Sequence, residues 1–384
     1  MNLSRRRFVL GVGGTALLTV WPGVGALAAQ SNKTSDTRLL VVMLRGAMDG
    51  LHLLPPYADP AYQRARGALA VQDGLKLDGN FALHPQMKFA HELYGKRQLL
   101  PMLAIAPPYR QRSHFEAQDC LENGTASPDG ARDGWLGRCV DAMPKVEGVA
   151  LAPVMPLSLR GTRRAETWSP PLTQEIQATL LQQLQPLYAA DKQLASVYAD
   201  AVNAPEINQM QGGKRGGFGL PQAMTAAAQL MTGAGGLRVG FVEDSGWDTH
   251  RGQAAALQRK FAELDAGLRA VRDGFGDTWA RTMVVVVTEF GRTVAVNGTG
   301  GTDHGTGGLA LVAGGGVRGG RMLGDWPGLQ PAQLNEGRDL RATADLRALF
   351  KGALGEHLGV PESALETKIF PNSRSVRALD GLLA

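Results

Sequence analysis

Five short apolar runs, separated by amphipathic segments, constrain the fold of this chain more than any other feature of its sequence. They lie at residues 39–44, 99–105, 237–242, 283–288 and 309–313. A continuous apolar run of this length is typical of a strand that is buried on both faces of a sheet. Helical spacing occurs at residues 173–199, 253–275 and 340–358. Strands that alternate with helices predict an α/β fold, in which a mostly parallel sheet is sandwiched by helices.

The first 28 residues have the form of an export signal. Residues 4–8 read Ser-Arg-Arg-Arg-Phe, and an uncharged stretch then ends in Ala26-Leu27-Ala28, which is a small-x-small cleavage pattern. This arrangement predicts a cleaved twin-arginine leader at residues 1–28, a polar linker at 29–37 and one α/β domain at 38–384. A permanent membrane anchor and export by the Sec route are the alternatives. The glycines and Pro22 within the apolar stretch favour cleavage.

The expected partner is therefore the twin-arginine translocation machinery, and the expected location is periplasmic or secreted. Loss of the leader would remove Arg5, Arg6 and Arg7 and no acidic residue, so the formal charge would fall from +5 to +2. A nearly neutral protein offers no electrostatic case for binding nucleic acid. No second apolar span of membrane length occurs, so no stable membrane span is expected after cleavage. Cys120 and Cys139 could form a disulfide or remain two free thiols.

Polar side chains follow the apolar runs, and ligands of open parallel sheets bind beyond the carboxyl ends of the strands. Asp49 comes after the first run as a candidate metal ligand, although a turn aspartate that accepts from nearby N–H groups is the simpler interpretation. Arg112, Ser113 and His114 come after the second run. Ser113 is a candidate nucleophile, and it is also a candidate helix N-cap with Glu116 as its capping-box partner.

Two further groups supply most of the candidate ligands. Asp248 and His250 stand two residues apart after the third run, where both could bind one metal ion. The valine run delivers Glu289 to the sheet edge, and a buried carboxylate there requires a metal ion or Arg292 as partner. A Gly-rich loop then carries Asp303 and His304. This set of carboxylates and imidazoles suits Zn, Mn, Mg or Ca better than a thiophilic metal.

The motifs in their order are similar to those of the bacterial family catalogued as domain of unknown function 1501, whose members often begin with twin-arginine leaders. The matching segments are LRGAMDG (44–50), RSHFEAQD (112–119), GWLGR (134–138), GWDTH (246–250), TEFGRT (288–293) and GGTDHG (300–305). They cover nearly all of the predicted mature chain.

That family in turn resembles the alkaline phosphatase superfamily of phosphatases, sulfatases and phosphomutases. The resemblance implies an alkaline-phosphatase-like fold, with Ser113 as the nucleophile and Asp49 as the first metal aspartate. Asp248 and His250 would share one metal, and His304 would match a late histidine. Where the superfamily has an Asp-His pair, this chain has Glu289-Phe290, and Phe290 cannot bind metal. One metal site is therefore expected, with Asp303 as a possible substitute ligand.

These observations lead to three hypotheses. The first is an exported metal-dependent hydrolase that acts on a small anionic ester, a phosphate or a sulfate, with Ser113, His114, Arg112 and Arg292 at the reacting group. The second is a non-catalytic exported protein that retains the fold and a structural metal and serves surface-polymer or complex assembly. The third, a redox enzyme, is disfavoured because a nucleotide-binding glycine motif, haem attachment motifs and cysteine clusters are all missing from the sequence.

Overall fold

The computed structural model describes residues 36–170, 195, 218–233 and 236–384. The predicted leader, nearly all of the linker and the predicted helix at residues 173–199, apart from Ala195, lie outside the described residues. Within the described residues, no helix combines the length and the apolar character that crossing a membrane requires.

An eight-stranded sheet occupies the centre of the described unit, with strands in the order β10-β4-β9-β8-β1-β7-β5-β6. Its strands are β1 (Arg38–Leu44), β4 (Leu99–Ala106), β5 (Glu147–Leu151), β6 (Ala165–Trp168), β7 (Leu237–Asp244), β8 (Thr282–Val287), β9 (Gly308–Ala313) and β10 (Ala344–Asp345). A separate antiparallel pair is formed by β2 (Leu75–Lys76) and β3 (Ala82–Leu83). All five apolar runs are strands of the central sheet, which confirms the predicted α/β class.

The direction of β9 determines where the functional loops meet. β9 is antiparallel to both β4 and β8, whereas β1 is parallel to β7 and to β8. The loop 288–307 therefore leaves the carboxyl end of β8 and enters β9 at the same edge of the sheet. Both ends of this Gly-rich loop thus lie beside the residues that follow β1, β4 and β7.

Helices cover both faces of the sheet. They are α1 (Gly50–Leu53), α2 (Tyr62–Arg66), α3 (Lys88–Gly95), α4 (His114–Asn123), α5 (Trp135–Ala142), α6 (Leu220–Thr232), α7 (Gln253–Phe275), α8 (Leu346–Gly352) and α9 (Glu362–Ala364). Short 3-10 turns lie at Gly67–Leu69, Leu157–Leu159, Gly276–Arg281 and Pro331–Gln333, and π-helical turns lie at Ala353–His357 and Leu365–Ile369.

Alternation along β1 shows how the two apolar layers form. Leu40 and Val42 pack into a cluster with α3, α6 and α7, whereas Leu39 and Val41 pack into a second cluster with α5 and α8. Successive side chains of a strand point to opposite faces, so a fully apolar strand requires both faces to be covered. The sheet is therefore the middle of three layers, as the sequence predicts.

The last long helix begins later in the structure than the sequence pattern predicts. Helix α8 begins at Leu346 rather than at residue 340, because the Asp345 side chain accepts a hydrogen bond from the Arg347 backbone N–H and caps the helix there.

Cys120 and Cys139 are both free and buried, so the disulfide alternative is wrong. Burial raises the pKa of the Cys120 thiol to about 11 and that of Cys139 to about 12.

Candidate metal centre

At the carboxyl edge of the sheet, the Nε2 atoms of two histidine side chains approach the Nε2 atom of a third, His304. His304 Nε2 lies 2.9 Å from His114 Nε2 and 3.0 Å from His250 Nε2. Asp248 completes the group, because its Oδ1 lies 2.9 Å from His250 Nε2 and 3.3 Å from His304 Nε2. Its Oδ2 lies 3.4 Å from His114 Nε2. Within the described part of the chain, His114, Asp248 and His304 form the group whose ligand atoms lie close enough together to bind one metal ion.

The other ring nitrogen of each histidine fixes its tautomer. His114 Nδ1 lies 2.8 Å from Glu289 Oε1, His250 Nδ1 lies 3.0 Å from Asp303 Oδ1, and His304 Nδ1 lies 3.1 Å from the Arg112 carbonyl oxygen. Ionised carboxylates and carbonyls can only accept, so each Nδ1 must donate. In the neutral rings, all three Nε2 atoms then carry lone pairs that face one another. This pattern, with Nδ1 held by an oxygen and Nε2 free, is the usual arrangement of metal-binding histidines.

Either protons or a metal ion can relieve the close approach of the ring nitrogens. Burial by itself would lower the pKa of His114, but hydrogen bonding to Glu289 outweighs burial and raises it, whereas burial and the neighbouring His114 lower the pKa of His304. One proton could therefore bridge His114 and His304, and a cation bound among the rings would serve the same purpose.

The spacing of three of the side chains fits a small divalent cation. Ligands about 2.0–2.1 Å from a tetrahedral zinc ion lie roughly 3.3 Å from one another. His304 Nε2 lies 2.9 Å from His114 Nε2 and 3.3 Å from Asp248 Oδ1, and His250 Nε2 adds a contact of 3.0 Å to His304. The donor set of His114, Asp248 and His304 therefore fits a metal ion, and metal binding there, with His250 as a further ligand, remains a prediction.

Glu289 lies behind His114, seen from the cluster. It is fully buried, and its Oε1 accepts from the Gly46 backbone N–H, Gln118 Nε2 and His114 Nδ1, each at 2.8 Å. Burial would raise the pKa of Glu289, but these hydrogen bonds lower it below its ordinary value. These protein donors, rather than Arg292, are the hydrogen-bond partners of Glu289 Oε1, and one of them is the ring of His114.

Asp303 contacts a candidate ligand, His250, at the ring nitrogen that faces away from His304. Its Oδ1 accepts from His250 Nδ1 and, at 3.2 Å, from Asn297 Nδ2. These hydrogen bonds lower the pKa of the half-exposed Asp303 carboxyl. The structure thus places Asp303 in contact with His250 Nδ1, on the side of the ring away from His304.

Asp49 does not join the cluster, because its carboxylate is paired with the buried side chain of Arg66. Arg66 donates from Nη1 to Asp49 Oδ2 at 2.5 Å and from Nη2 to Oδ1 at 2.9 Å, and both side chains are almost fully buried. Oδ1 also accepts from the backbone N–H groups of Leu51 and His52 and caps α1. Gln253 Nε2 donates to Oδ2. The contacts of Asp49 are those of the turn-aspartate interpretation, and Asp49 is not one of the residues that form the candidate metal group.

Both arginines that were expected at the reacting group are paired with acids. Arg292 is fully buried, donates to Asp248 Oδ1 at 2.5 Å and contacts Thr302. Arg112 donates to Glu336 at 2.6 Å and to Asp339 at 3.2 Å. Its backbone is in the left-handed region, with φ 62°, and its carbonyl orients His304. Both side chains are thus paired with carboxylates, and of the two only that of Arg292 contacts a candidate ligand, Asp248.

Ser113 immediately precedes His114 at the N-cap of α4, with extended backbone angles. Its hydroxyl makes no capping hydrogen bond, and the predicted capping box with Glu116 is not formed. Glu116 instead accepts from the Tyr109 hydroxyl. The first backbone N–H groups of α4 therefore have no side-chain acceptor at the N-cap, and the Ser113 side chain is hydrogen-bonded with the side chain of Tyr109 instead.

The sequence-based reasoning missed the residues that support the ligands. Gln253 is fully buried and joins Asp49 to Thr249 and Thr302, and Thr302 contacts Arg292. Gln118 could have been found, because it stands four residues after His114 and so lies on the same face of α4. No comparable sequence spacing connects Arg66 with Asp49, its partner in the structure.

Fold and site together define an α/β protein with a candidate centre of three histidines and one aspartate at the carboxyl edge of its sheet. The chain belongs to the family described as "Protein of unknown function (DUF1501)", which matches residues 106–369. This match confirms the family resemblance seen in the motifs. A search of curated proteins finds no match.

Solved structures give only remote similarities. One is a Bacteroides thetaiotaomicron chain described under the metabolism of multiple glycosaminoglycans, with TM-score 0.43, 8% identity, and coverage of 89% of this chain and 75% of that chain. Another is the periplasmic domain of EcEptC from Escherichia coli in complex with Zn, with TM-score 0.38, 9% identity and 73% coverage of each chain. A TAB5 alkaline phosphatase mutant with Mg bound has TM-score 0.37, 11% identity, and coverage of 76% and 95%. TM-scores below 0.5 transfer no activity or ligand to this chain.

Proposed function

We propose that this protein is an exported metal-dependent hydrolase that cleaves a phosphate or sulfate ester. The observation that supports this proposal is the cluster formed by the Nε2 atoms of His114, His250 and His304 and the Asp248 carboxylate, in which His114 directly follows Ser113. Imidazoles and a carboxylate suit a divalent cation, and a cation close to a hydroxyl is suited to hydrolytic chemistry.

Among the four metals that the sequence allowed, the donor set favours zinc. Three of the four candidate ligands are imidazoles, which suit Zn²⁺, whereas Mg²⁺ and Ca²⁺ prefer oxygen ligands. The ligand spacing near 3 Å agrees with a four-coordinate ion. One ion is expected, because Arg66 and Arg292 already neutralise Asp49 and Asp248 in the surroundings of the site.

In the proposed site, the N-terminus of α4 would bind the negatively charged oxygens of the ester. Backbone N–H groups at the start of a ten-residue helix favour negatively charged oxygens. Ser113 Oγ would attack the phosphorus or sulfur atom, the ester oxygen would leave with a proton, and water would then release the group from the serine. When bound, the metal ion would polarise the ester and lower the pKa of the attacking hydroxyl.

Replacing Ser113 with alanine tests this proposal. We expect Ser113→Ala to abolish hydrolysis of chromogenic phosphate or sulfate esters while metal content stays at the wild-type value, because the hydroxyl is not among the candidate ligands. Turnover and metal content are measured on the same preparation. Ser363→Ala, which removes an exposed serine hydroxyl in α9, is the control and should match the wild type. Wild-type turnover in Ser113→Ala would remove the serine from the mechanism.

A non-catalytic function is the second candidate, and one observation favours it. Arg112 and Arg292, the two cations that the sequence placed at the reacting group, are both engaged by acidic side chains. A metal ion held in such a site could be structural, as in a protein that assembles surface polymers or a complex. Stoichiometric metal in the wild-type protein, without turnover of any ester tested, would support this alternative.

Export by the twin-arginine route is part of the proposal and rests on residues 1–28. We expect the double substitution Arg5→Lys and Arg6→Lys to retain the uncleaved precursor in the cytoplasm, because that route reads the paired arginines. Cell fractionation and the mass of the mature N-terminus measure this result. Arg7→Lys is the matched control. Normal export of the double variant would instead favour the Sec route.

A further inference from the structure

Asn297 is the centre of a hydrogen-bond network around one candidate ligand. Its Nδ2 donates to the His250 carbonyl oxygen at 2.9 Å and to Asp303 Oδ1 at 3.2 Å. Its Oδ1 accepts from the backbone N–H groups of Thr299 and Gly301, each at 3.0 Å. The side chain of Asn297 thus holds the loop 297–303 together and connects it to the His250 backbone.

The network fixes His250 from two sides. The Asp303 carboxylate holds the ring at Nδ1, and Asn297 holds both that carboxylate and the His250 backbone. The Thr299 hydroxyl, 2.6 Å from the same His250 carbonyl oxygen, adds a further contact. His250 needs this support because its side chain is 42% exposed, compared with 20% for His114 and 27% for His304.

Close backbone packing brings the loop against His250. A Cβ atom at Gly301 would lie within 3.0 Å of the backbone of His250 and of Thr249, so only glycine fits there. A Cβ atom at Gly298, three residues earlier in the same loop, would have no neighbour within 4 Å. The loop therefore contains one position that is in tight contact with His250 and one that is free of contacts.

We infer that Asn297 is the positioning residue that holds His250 in the metal centre. The inference rests on the proposed metal centre. Only an amide meets the requirement, because the same side chain must donate two hydrogen bonds and accept others. An aspartate there would lose both donors and would place a second negative charge beside Asp303.

The test uses the full mature protein and two metals. We expect Asn297→Ala to weaken Zn²⁺ binding by about 10–100-fold, the range found when the outer partners of metal ligands are lost. Binding is measured by competition with a chelator. The visible absorption of the Co²⁺-loaded protein should also change, because the coordination of the ion changes when His250 is released. Asn297→Asp should weaken binding at least as much, and Gly298→Ala should match the wild type in both measurements.

Two comparisons separate this inference from a general loss of structure and from failure of the proposed metal centre. The unfolding temperature of metal-free Asn297→Ala should stay close to that of the metal-free wild type, while the increase that Zn²⁺ produces should shrink. Wild-type affinity and an unchanged Co²⁺ spectrum in both Asn297 variants would overturn the inference and leave the metal centre intact. Absence of metal binding in the wild type would overturn both.

Discussion

His304→Ala is expected to abolish stoichiometric metal binding. His304 Nε2 contacts the other three candidate ligand side chains, at distances of 2.9, 3.0 and 3.3 Å. Without it, two histidines and Asp248 remain, and Asp248 is already shared with Arg292. The Kd for Zn²⁺ should increase by more than about 100-fold, beyond the roughly 10–100-fold effect of losing an outer partner. Elemental analysis after dialysis, together with calorimetric titration, measures this loss.

Thermal unfolding gives an independent measurement of the same variant. A ligand present at 100 times its Kd stabilises a protein by about 2.7 kcal/mol. Added Zn²⁺ should therefore raise the unfolding temperature of the wild type and leave that of His304→Ala unchanged. His91→Ala is the matched control, because His91 lies on α3 and contacts the Lys76 carbonyl oxygen. Equal metal content in His304→Ala and the wild type would contradict the proposed centre.

The sheet and the location of the site were predictable because both follow from local patterns. Five apolar runs defined five strands, and the rule that ligands bind at carboxyl strand ends placed the functional loops at one edge. Asp248 and His250 follow β7, and His114 follows β4, where that rule expects them. His304 lies there for a reason that the sequence does not state, because β9 enters the sheet antiparallel and returns its loop to the same edge.

The division between ligands and supporting residues was not predictable. Asp248 and Glu289 are both acidic and both follow a strand, so their residue types do not distinguish them. They differ in their contacts: Glu289 is surrounded by the Gly46 N–H, Gln118 and His114, whereas Asp248 turns toward the three Nε2 atoms. Only the tertiary structure determines how many hydrogen-bond donors of the protein surround each carboxylate.

The pair formed by Asp49 and Arg66 shows the same limit more strongly. The two residues stand 17 positions apart, at the start of α1 and at the end of α2, and no periodicity connects them. Burial alone would raise the pKa of Asp49, but the charge of Arg66 outweighs burial and lowers it. A carboxylate that looked like a metal ligand in the sequence is thus neutralised by a guanidinium group.

Arg66→Met should therefore cause a large loss of stability without a loss of metal. Removing one partner of a buried ion pair typically costs about 3–5 kcal/mol, because the remaining charge is left buried without compensation. Asp49 would retain the N–H groups of Leu51 and His52 and the Gln253 amide but lose both guanidinium contacts. The free energy of unfolding in urea should fall by this amount, while metal content per folded molecule stays at the wild-type value.

The double variant Asp49→Asn with Arg66→Met distinguishes the two roles of the aspartate. An asparagine can still cap α1 through its side-chain oxygen, and no unpaired charge remains, so most of the lost stability should return. If Asp49 bound the metal, this double variant would bind Zn²⁺ more weakly than Arg66→Met alone. Equal Zn²⁺ affinity of the two variants, together with recovered stability, would establish that Asp49 acts through the fold and not as a metal ligand.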